Sequence, residues 1–502
     1  MTLPLEPSPP DIPLETSHSP RIAIIGAGAG GSSAAFWIAQ AKERHGLDVS
    51  IDIYERNDYI GGRSTTVHPY NNTAYEPVEL GASIFVDINK NLRRATNEFN
   101  LSLHGFEDEE GDMGIWDGEQ FLYTRKRVTE PIGSWLDNLK VLWRYGYHSP
   151  KIMQKLVQSM TDKYVKIYES DASTWTSIED LSDVLGLTDM ISQTGAEYFQ
   201  SHGVSQKFAN ELIEAATRVN YAQNVDGLHA LVAGCSLAAS GGSSVKGGNW
   251  QIFEHFVKRS GARVFLRTEV VGIQRRSGHT WTIVTQEERR DYDAVILAAP
   301  YHSTHISLPD DLSPLILPQP YIHLHVTLLS TTAVTPNPEY FGYKPGSKVP
   351  TTVLTTFEGV RNEGEAPEFN SLSYLGQTRF TGDETEDSLK TGEWIVKIFS
   401  MEPISDEWLA NVFQSQVGWV LRKEWDSYPV LPPTTTFPPV KLDDGLFYVN
   451  AFEPFISTME TETLASRNVV DWLLRDKFNS SICSDETGYI EKASDFIYGW
   501  DC

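Results

Sequence analysis

Apolar residues recur along this chain in two rhythms: short unbroken runs, and longer segments spaced like one face of a helix. The first run, Arg21-Ile22-Ala23-Ile24-Ile25, is apolar at consecutive positions, as in a parallel strand buried on both faces. The small-residue stretch from Gly26 to Gln40 predicts a helix, and Val49-Ser50-Ile51-Asp52-Ile53-Tyr54 predicts a second strand. Together they form a βαβ unit, which requires a right-handed crossover. From Trp116 to about Ser240 the rhythm changes to long amphipathic segments such as Trp135 to Tyr168, which predict helices. Strands return over 264–300 and end in Ala294-Val295-Ile296-Leu297-Ala298-Ala299-Pro300. A mixed segment follows with the strand-like run His323 to Leu329. Residues 360–388, rich in Gly, Asp, Glu and Pro, predict surface loops. Leu446 to Asn450 reads as a strand and Thr461 to Leu474 as a closing helix, and no internal repeat is visible.

Nucleotide-binding signatures thus sit at the start, the middle and the end of the chain. The organisation they predict is discontinuous: a Pro-rich disordered arm over 1–20, then a cofactor domain assembled from 21–115, 243–305 and 441–476. Between these lie a mainly helical part (116–242) and a second part (306–440) of a substrate domain, and 477–502 form an acidic tail. The fold class is α/β, a Rossmann-type domain of the two-dinucleotide-binding-domain, amine-oxidase-like kind with an interleaved α+β substrate domain.

Composition narrows the class. With 502 residues, 40% hydrophobic content, 13 Trp, 21 Tyr and 22 Phe, the chain can bury more than one core. A net charge of −26 argues against nucleic acid or an anionic membrane as partner, because phosphate binding calls for Lys/Arg clusters. Cys235, Cys483 and Cys502 include no C-x-x-C pair, which excludes a disulfide framework and a cysteine metal site; a single Cys483–Cys502 bridge stays open. The first twenty residues lack the basic start and apolar stretch of a secretory signal, and no run is long enough to span a bilayer. As written, the sequence reads as cytoplasmic, or as vacuolar, lysosomal or secreted if a native N-terminus has been removed. Sequons at Asn71, Asn100 and Asn479 are compatible with secretion.

The chemistry begins at Gly26-Ala27-Gly28-Ala29-Gly30-Gly31, which follows a strand directly and opens a helix. In that context Gly26 permits the tight turn, Gly28 lets the backbone approach a pyrophosphate, and Gly31 lets helix and strand pack closely. The helix N-terminus, from Gly30 onward, offers free N–H groups and a positive dipole end to phosphates. Glu55 ends the second strand, where its carboxylate can accept from both ribose hydroxyls, with Arg56 beside it. Gly61-Gly62-Arg63 supplies a second glycine pair and a balancing cation, which points to FAD rather than NAD. Glu79-Leu80-Gly81-Ala82-Ser83 matches a segment passing the flavin, through Gly81, Ala82 and Ser83. Val270 and Val271 fit a strand whose backbone meets the adenine end, their side chains packing inward. Glu453 and Ser457 precede a helix whose N-terminus would stabilise an anionic reduced flavin. No cysteine lies in that stretch, so FAD is expected without a covalent bond.

The remaining pieces, Trp143-Arg144-Tyr145-Gly146, Val204-Ser205-Gln206-Lys207-Phe208, Tyr221-Ala222-Gln223, Gly247-Gly248-Asn249 and Phe447 to Glu453, resemble in order and spacing the prenylcysteine oxidase (prenylcysteine lyase) family. The resemblance runs from about Arg21 to Leu474 and is looser over 330–430. It implies hydride abstraction from C1 of a prenyl thioether by FAD, addition of water, release of cysteine and a prenyl aldehyde, and reoxidation by O2 to H2O2. A flavin oxidase or dehydrogenase of secondary metabolism, acting on another apolar prenylated substrate, is the alternative on this scaffold. Such chemistry asks the protein for orientation and solvent exclusion more than for acids and bases. Candidate bases are His229 and His302, each more often structural than catalytic in such a setting. Trp135, Trp143, Tyr145 and Tyr147 could line a prenyl tunnel or simply form core. Neither metal-ligand spacing nor a nucleophile elbow is present.

Overall fold

A computed structural model describes residues 19–105, 111–126, 143–169, 174–238, 241–276, 279–382, 390–483 and 495–502. Nearly all of the Pro-rich arm, Trp135 and part of the acidic tail lie outside them. Strand β1 (Arg21–Ile25), helix α1 (Ala29–His45) and strand β2 (Ser50–Tyr54) form the first unit. β1 pairs in parallel with β2 on one side and with Ala294–Leu297 on the other. The full six-stranded sheet runs Lys441–Asp443, Leu446–Tyr448, Ala294–Leu297, β1, β2, Arg263–Phe265. Ile22, Ala23, Ile24, Val295, Ile296 and Leu297 are wholly inaccessible, since both faces of the sheet are covered. Truncating Ile24 or Ile296 to alanine there costs about 2–5 kcal/mol.

α1 is buried from Gly30 to Ala39 and again at Ala41, wedged between the sheet, helix Trp250–Ser260 and the closing helix Met459–Phe478. That all-round burial explains its run of small residues. Gly46, at φ 65°, ends it with a left-handed cap whose N–H donates to the Lys42 carbonyl. The closing helix starts at Met459, two residues before the predicted Thr461, because Thr458 caps it: its hydroxyl accepts from Thr461 N–H in a reciprocal box.

A second, seven-stranded sheet carries the other half of the molecule. Its longest members are β3 (Tyr321–Thr331), β4 (Lys390–Ser400) and, at one edge, β5 (Val417–Pro429). The order is β5, β3, β4, Ser371–Arg379, Thr352–Thr355, Met113–Trp116, Phe121–Arg125. The last strand differs from the helical reading of the segment after Trp116, and Ser371–Arg379, paired on both sides, differs from the loop reading of 360–388 because Leu372 enters the core. Gly118, at φ 111°, turns the chain so that Phe121-Leu122-Tyr123 pairs back, and the two-residue alternation prevails. Period two also sorts β4: Val396 and Ile398 enter a core with Val353, Leu372 and Phe341, while Ile395, Lys397 and Phe399 point to the opposite face.

A three-stranded antiparallel sheet (Val270–Arg275, Trp281–Thr285, Arg289–Tyr292) flanks the cofactor sheet. Helices His148–Tyr164, Glu214–Tyr221 and Ala230–Leu237 pack together against the remaining side. No helix among the described residues is long and apolar enough to cross a membrane. The bridge left open by the sequence is present: Cys483 and Cys502 are disulfide-bonded, with Cα atoms 5.4 Å apart.

Candidate active site

The turn after β1 separates two reasons for a glycine. A Cβ on Gly26, at φ 101°, would lie 2.5 Å from the Ala298 carbonyl, and one on Gly31 would lie 1.9 Å from the Gly26 carbonyl. Packing alone excludes side chains at both positions. At Gly28, φ is −77° and a Cβ would meet nothing closer than 3.8 Å. The protein's own atoms do not demand glycine there, so its need lies in an approaching ligand. The start of α1 has no side-chain cap and no acidic residue in its first turn, leaving N–H groups free for an anion. Gly61 and Gly62 lie against this turn: Gly61 N–H donates to Ala27 O (2.9 Å), and a Cβ on Gly62 would reach within 3.1 Å of Gly28 Cα.

Glu55, 5% exposed, positions the turn: Oε2 accepts from Ala27 N–H (2.9 Å), and Oε1 from Asn57 N–H (2.8 Å) and Nδ2 (2.7 Å). An ionised carboxylate has about four acceptor positions, so one remains for a ribose hydroxyl. Arg56 stays near the surface, its guanidinium 3.5 Å from Ser303 O. Val270 is buried but Val271 is exposed, so of the two valine side chains that the sequence predicts to pack inward only the first does, because alternate residues of the strand face opposite sides. The Val271 carbonyl accepts from Ser307 N–H (3.0 Å). Thr268 N–H donates to Glu55 O (2.9 Å), which ties this strand's start to the end of β2. Around the turn, Ser33 Oγ, Ser64 Oγ, Asn450 Oδ1 and Glu462 Oε1 are buried polar atoms with no hydrogen-bond partner. Burial without a partner is costly, and the phosphates and hydroxyls of a dinucleotide are the groups that satisfy such atoms.

Arg63 reaches away from the glycines to join distant segments. Its guanidinium pairs with Glu453 and donates to Ser427 O at 2.9 Å, and the Tyr321 hydroxyl donates to the other Glu453 oxygen. Glu453 is thus fully engaged as an anchor between the cofactor sheet, β3 and the C-terminal turn, with Ser457 Oγ 3.4 Å away. Burial with these neighbours drives the Tyr321 hydroxyl far above its usual range.

Beyond Arg63 opens a cavity of about 1000 Å³, bounded by Glu79–Asn89, the inner face of β4, the three packed helices and the start of the closing helix. Its walls include Ile84, Phe85, Leu92, Tyr164, Leu231, Ile395, Phe399, Tyr428 and Met459. Gly81, Ala82, Ser83 and Ser457 lie on it; Gly26, Gly28, Gly30, Gly31, Glu55 and Arg63 do not. A Cβ on Gly81 would clash with Arg63 O at 1.9 Å, and Ala82 N–H donates to that carbonyl at 3.0 Å, so the wall is stitched to the cradle.

Two of the charged residues on this cavity, Lys397 and Glu79, are joined in its wall. Lys397 Nζ is buried and donates to Glu79 O (3.0 Å) and Ser83 Oγ (2.9 Å), with Gly81 O at 3.4 Å. Burial lowers its ammonium to about 8, partly offset by Glu79. Glu79 Oε1 accepts from Asn249 N–H (2.6 Å), while Oε2 is buried with no partner. Burial raises the Glu79 carboxyl to about 7, against the pull of the Asn249 hydrogen bond and the Lys397 charge.

Neither predicted histidine lines the cavity. His229 is wholly buried, donates Nε2–H to Pro454 O (3.1 Å), and is held neutral by burial, its pKa lowered to about 4. His302 is exposed and donates to the Ile316 and Leu317 carbonyls (3.2 and 3.1 Å). Of the aromatic block, Tyr145 is core, its hydroxyl donating to Glu211 (2.7 Å), whereas Trp143 is 88% exposed and Tyr147 exposed; none lines the cavity. Sequence reasoning missed Tyr321 and Lys397. The signal for the second was a lone lysine in the apolar alternation Trp394-Ile395-Val396-Lys397-Ile398-Phe399. Among the described residues, the group with metal-ligand proximity is His323, His325 and Glu424, on the surface away from the cavity.

A family model described as prenylcysteine lyase matches residues 128–485, and one described as an NAD(P)-binding Rossmann-like domain matches residues 24–99. The farnesylcysteine lyase of Arabidopsis thaliana is 30% identical, covering 91% of this chain and 88% of its own. The human (Homo sapiens) prenylcysteine oxidase 1 is also 30% identical, over 89% of this chain and 87% of its own. Among solved structures, a putrescine oxidase redesigned in its cofactor binding superposes with a TM-score of 0.58 at 15% identity, covering 91% of this chain and 99% of its own. The cyclohexylamine oxidase of Brevibacterium oxydans gives 0.57 at 14% identity with the same coverage, a likeness of fold.

Proposed function

The chain belongs to the prenylcysteine lyase family, and on that premise we propose that it is an FAD-dependent oxidase that cleaves the thioether of S-prenylated cysteines. The observation that carries the reading is the cavity of about 1000 Å³, lined with apolar side chains and bounded by the Gly81-Ala82-Ser83 wall that is stitched to the glycine cradle. FAD, when bound, supplies a hydride acceptor for C1 of the prenyl group and hands the electrons to O2, giving H2O2.

The chain's own residues do the rest. Gly28 and the uncapped start of α1 hold the pyrophosphate, and Glu55 accepts from the ribose. Leu92, Leu231, Phe399 and Met459 offer an isoprenoid an apolar surface, where each buried methylene contributes about 0.8 kcal/mol. The start of the closing helix, Ser457 to Thr461, borders the same cavity, so its dipole would favour negative charge on a bound ring.

FAD held without a covalent bond is part of the proposal. No cysteine occurs between Tyr448 and Thr461, and burial raises the cavity thiol of Cys235 to about 12, too high for a ready thiolate. We further propose passage through an oxidising compartment. The Cys483–Cys502 disulfide and the exposure of Asn71, Asn100 and Asn479, all three sequon asparagines, support it. Mixing protein and farnesylcysteine without oxygen tests the activity: the bound flavin is expected to bleach, with farnesal and cysteine as products. An unbleached flavin that another prenylated metabolite reduces would overturn the substrate assignment. Acid denaturation should release all the flavin into the supernatant.

A further inference from the structure

The reaction has a second half that a flavin does not perform. After hydride loss the substrate carries a cationic carbon–sulfur centre, and water must attack it while losing a proton. Three acids line the cavity: Glu76, Glu79 and Glu460. Both oxygens of Glu460 have partners, Oε1 accepting from Asn91 N–H (2.8 Å) and the Tyr168 hydroxyl (2.5 Å) and Oε2 from Leu92 N–H (3.0 Å), and so it caps helix Lys90–Glu98. Glu76 is exposed at the rim. Glu79 alone among them combines burial with an unpartnered oxygen, Oε2.

We propose that Glu79 takes the proton from the attacking water and returns it to the departing sulfur, with Lys397 holding its wall in place. The proposal rests on the prenylcysteine reading. The water oxygen gives a lone pair to form the C1–O bond, and one of its protons passes to Glu79 Oε2. The C–S bond of the resulting hemithioacetal then breaks with its electron pair going to sulfur. Glu79 protonates that sulfur, and the hydroxyl proton leaves to solvent as the aldehyde carbonyl forms. Overall the cation and one water give an aldehyde, a thiol and one proton, the hydride's two electrons having passed to FAD. A carboxyl that changes protonation near neutral pH can act in both directions within one turnover.

Lys397 is a positioning residue. It crosses from β4 to bind the Glu79 carbonyl and Ser83 Oγ, fixing the strand on which the carboxyl rides. It is also the charged group that opposes the carboxyl across the cavity wall. The other contact is the neutral Asn249 N–H from the turn before helix Trp250–Ser260, and His104, on strand Leu103–Gly105, lines the same cavity.

The test is a single turnover of FAD-loaded protein with farnesylcysteine without oxygen, following flavin bleaching by stopped flow and free thiol by rapid quench. Wild type should release thiol together with bleaching. Glu79→Gln should bleach at a rate within about threefold of wild type yet release thiol about 10²–10⁴-fold more slowly. Its FAD dissociation constant and melting midpoint should stay unchanged. In substrate-free protein, the infrared band of protonated carboxylic acids should titrate near pH 7 in wild type, and Glu79→Gln should remove one carboxyl's share of it and leave that of Glu460, which burial also raises to about 7. In Lys397→Met the Glu79 share should titrate at higher pH, since a cation favouring the carboxylate is gone. Thiol release at the wild-type rate in Glu79→Gln overturns the proposal. So does loss of FAD binding and bleaching together, which makes Glu79 a wall residue, or slow thiol release in His104→Gln alone. A wild-type flavin that farnesylcysteine never bleaches overturns the substrate reading instead, and the infrared titration still decides Glu79.

Discussion

Replacing Arg63 by methionine keeps the length of the side chain and removes the only cation paired with Glu453 among the described residues. The Glu453 side chain is 1% exposed and that of Arg63 32% exposed, so the two halves of the pair are not equivalent. Arg63→Met strands a carboxylate that no water can reach, at a cost of about 3–5 kcal/mol. Glu453→Gln strands a guanidinium that can turn partly to solvent and keeps its bond to Ser427 O, so it should cost about 1–3 kcal/mol. Unfolding entropy of about 2 cal/mol/K per residue makes 1 kcal/mol worth about one degree for a chain of 502 residues. Circular-dichroism melts of cofactor-free protein should therefore fall by about 3–5 °C for Arg63→Met and about 1–3 °C for Glu453→Gln, ligand mass action being absent. The double variant should fall less than the sum, because nothing is left stranded. Arg63→Met melting no lower than Glu453→Gln, or strict additivity, would refute the idea that an anchored charge pair joins the two halves.

Other outcomes follow from the same structure. Gly28→Ala should melt within a degree of wild type yet bind FAD about tenfold or more weakly by fluorescence titration, since its methyl fits the protein and not the ligand. Folded His229 titrates near 4 against about 6.5 unfolded, so below pH 6.5 the unfolded chain takes up the proton first. Stability is thus complete above that pH, and about 3 kcal/mol is lost on descending to 4. Denaturant titrations of His229→Gln should lack that slope. Cutting the loop tied by Cys483 and Cys502, 19 residues apart, with a Cys483→Ser/Cys502→Ser pair should cost about 3 kcal/mol in the same titrations, and an unchanged midpoint would show the tail already fixed by packing.

The cofactor half was legible because its demands are local. Gly26 and Gly31 answer to contacts a few residues away, and the apolar run of β1 reports burial on both faces directly. The edge hairpin of the second sheet was masked by the helical texture that follows it, although Gly118 marks its turn. The catalytic wall was the least legible part. Lys397 and Glu79 meet across 318 positions of sequence, and although a lone lysine in an apolar alternation marks the strand, nothing local records the partner it meets. His229 and His302 stand out in the sequence by their places after Tyr221-Ala222-Gln223 and after the strand ending at Leu297, and burial in one case and carbonyl partners in the other keep them from the cavity.

The strand order of the cofactor sheet bears on how the protein is made. Ala294–Leu297 sits between β1 and Leu446–Tyr448, so the sheet's centre is built from the two extremes of the chain. As the ribosome adds residues, β1, α1 and β2 emerge early, but one flank of Ala294–Leu297 stays unpaired until residues beyond 440 have been translated. Closing a loop of that length makes assembly slow and leaves an apolar strand edge open to other chains meanwhile. The sheet under the Gly26–Gly31 turn is therefore completed only after residues beyond 440 have emerged, long after the turn itself has been made. Expression yield should accordingly respond to chaperones that guard sheet edges, more than to changes in the cavity.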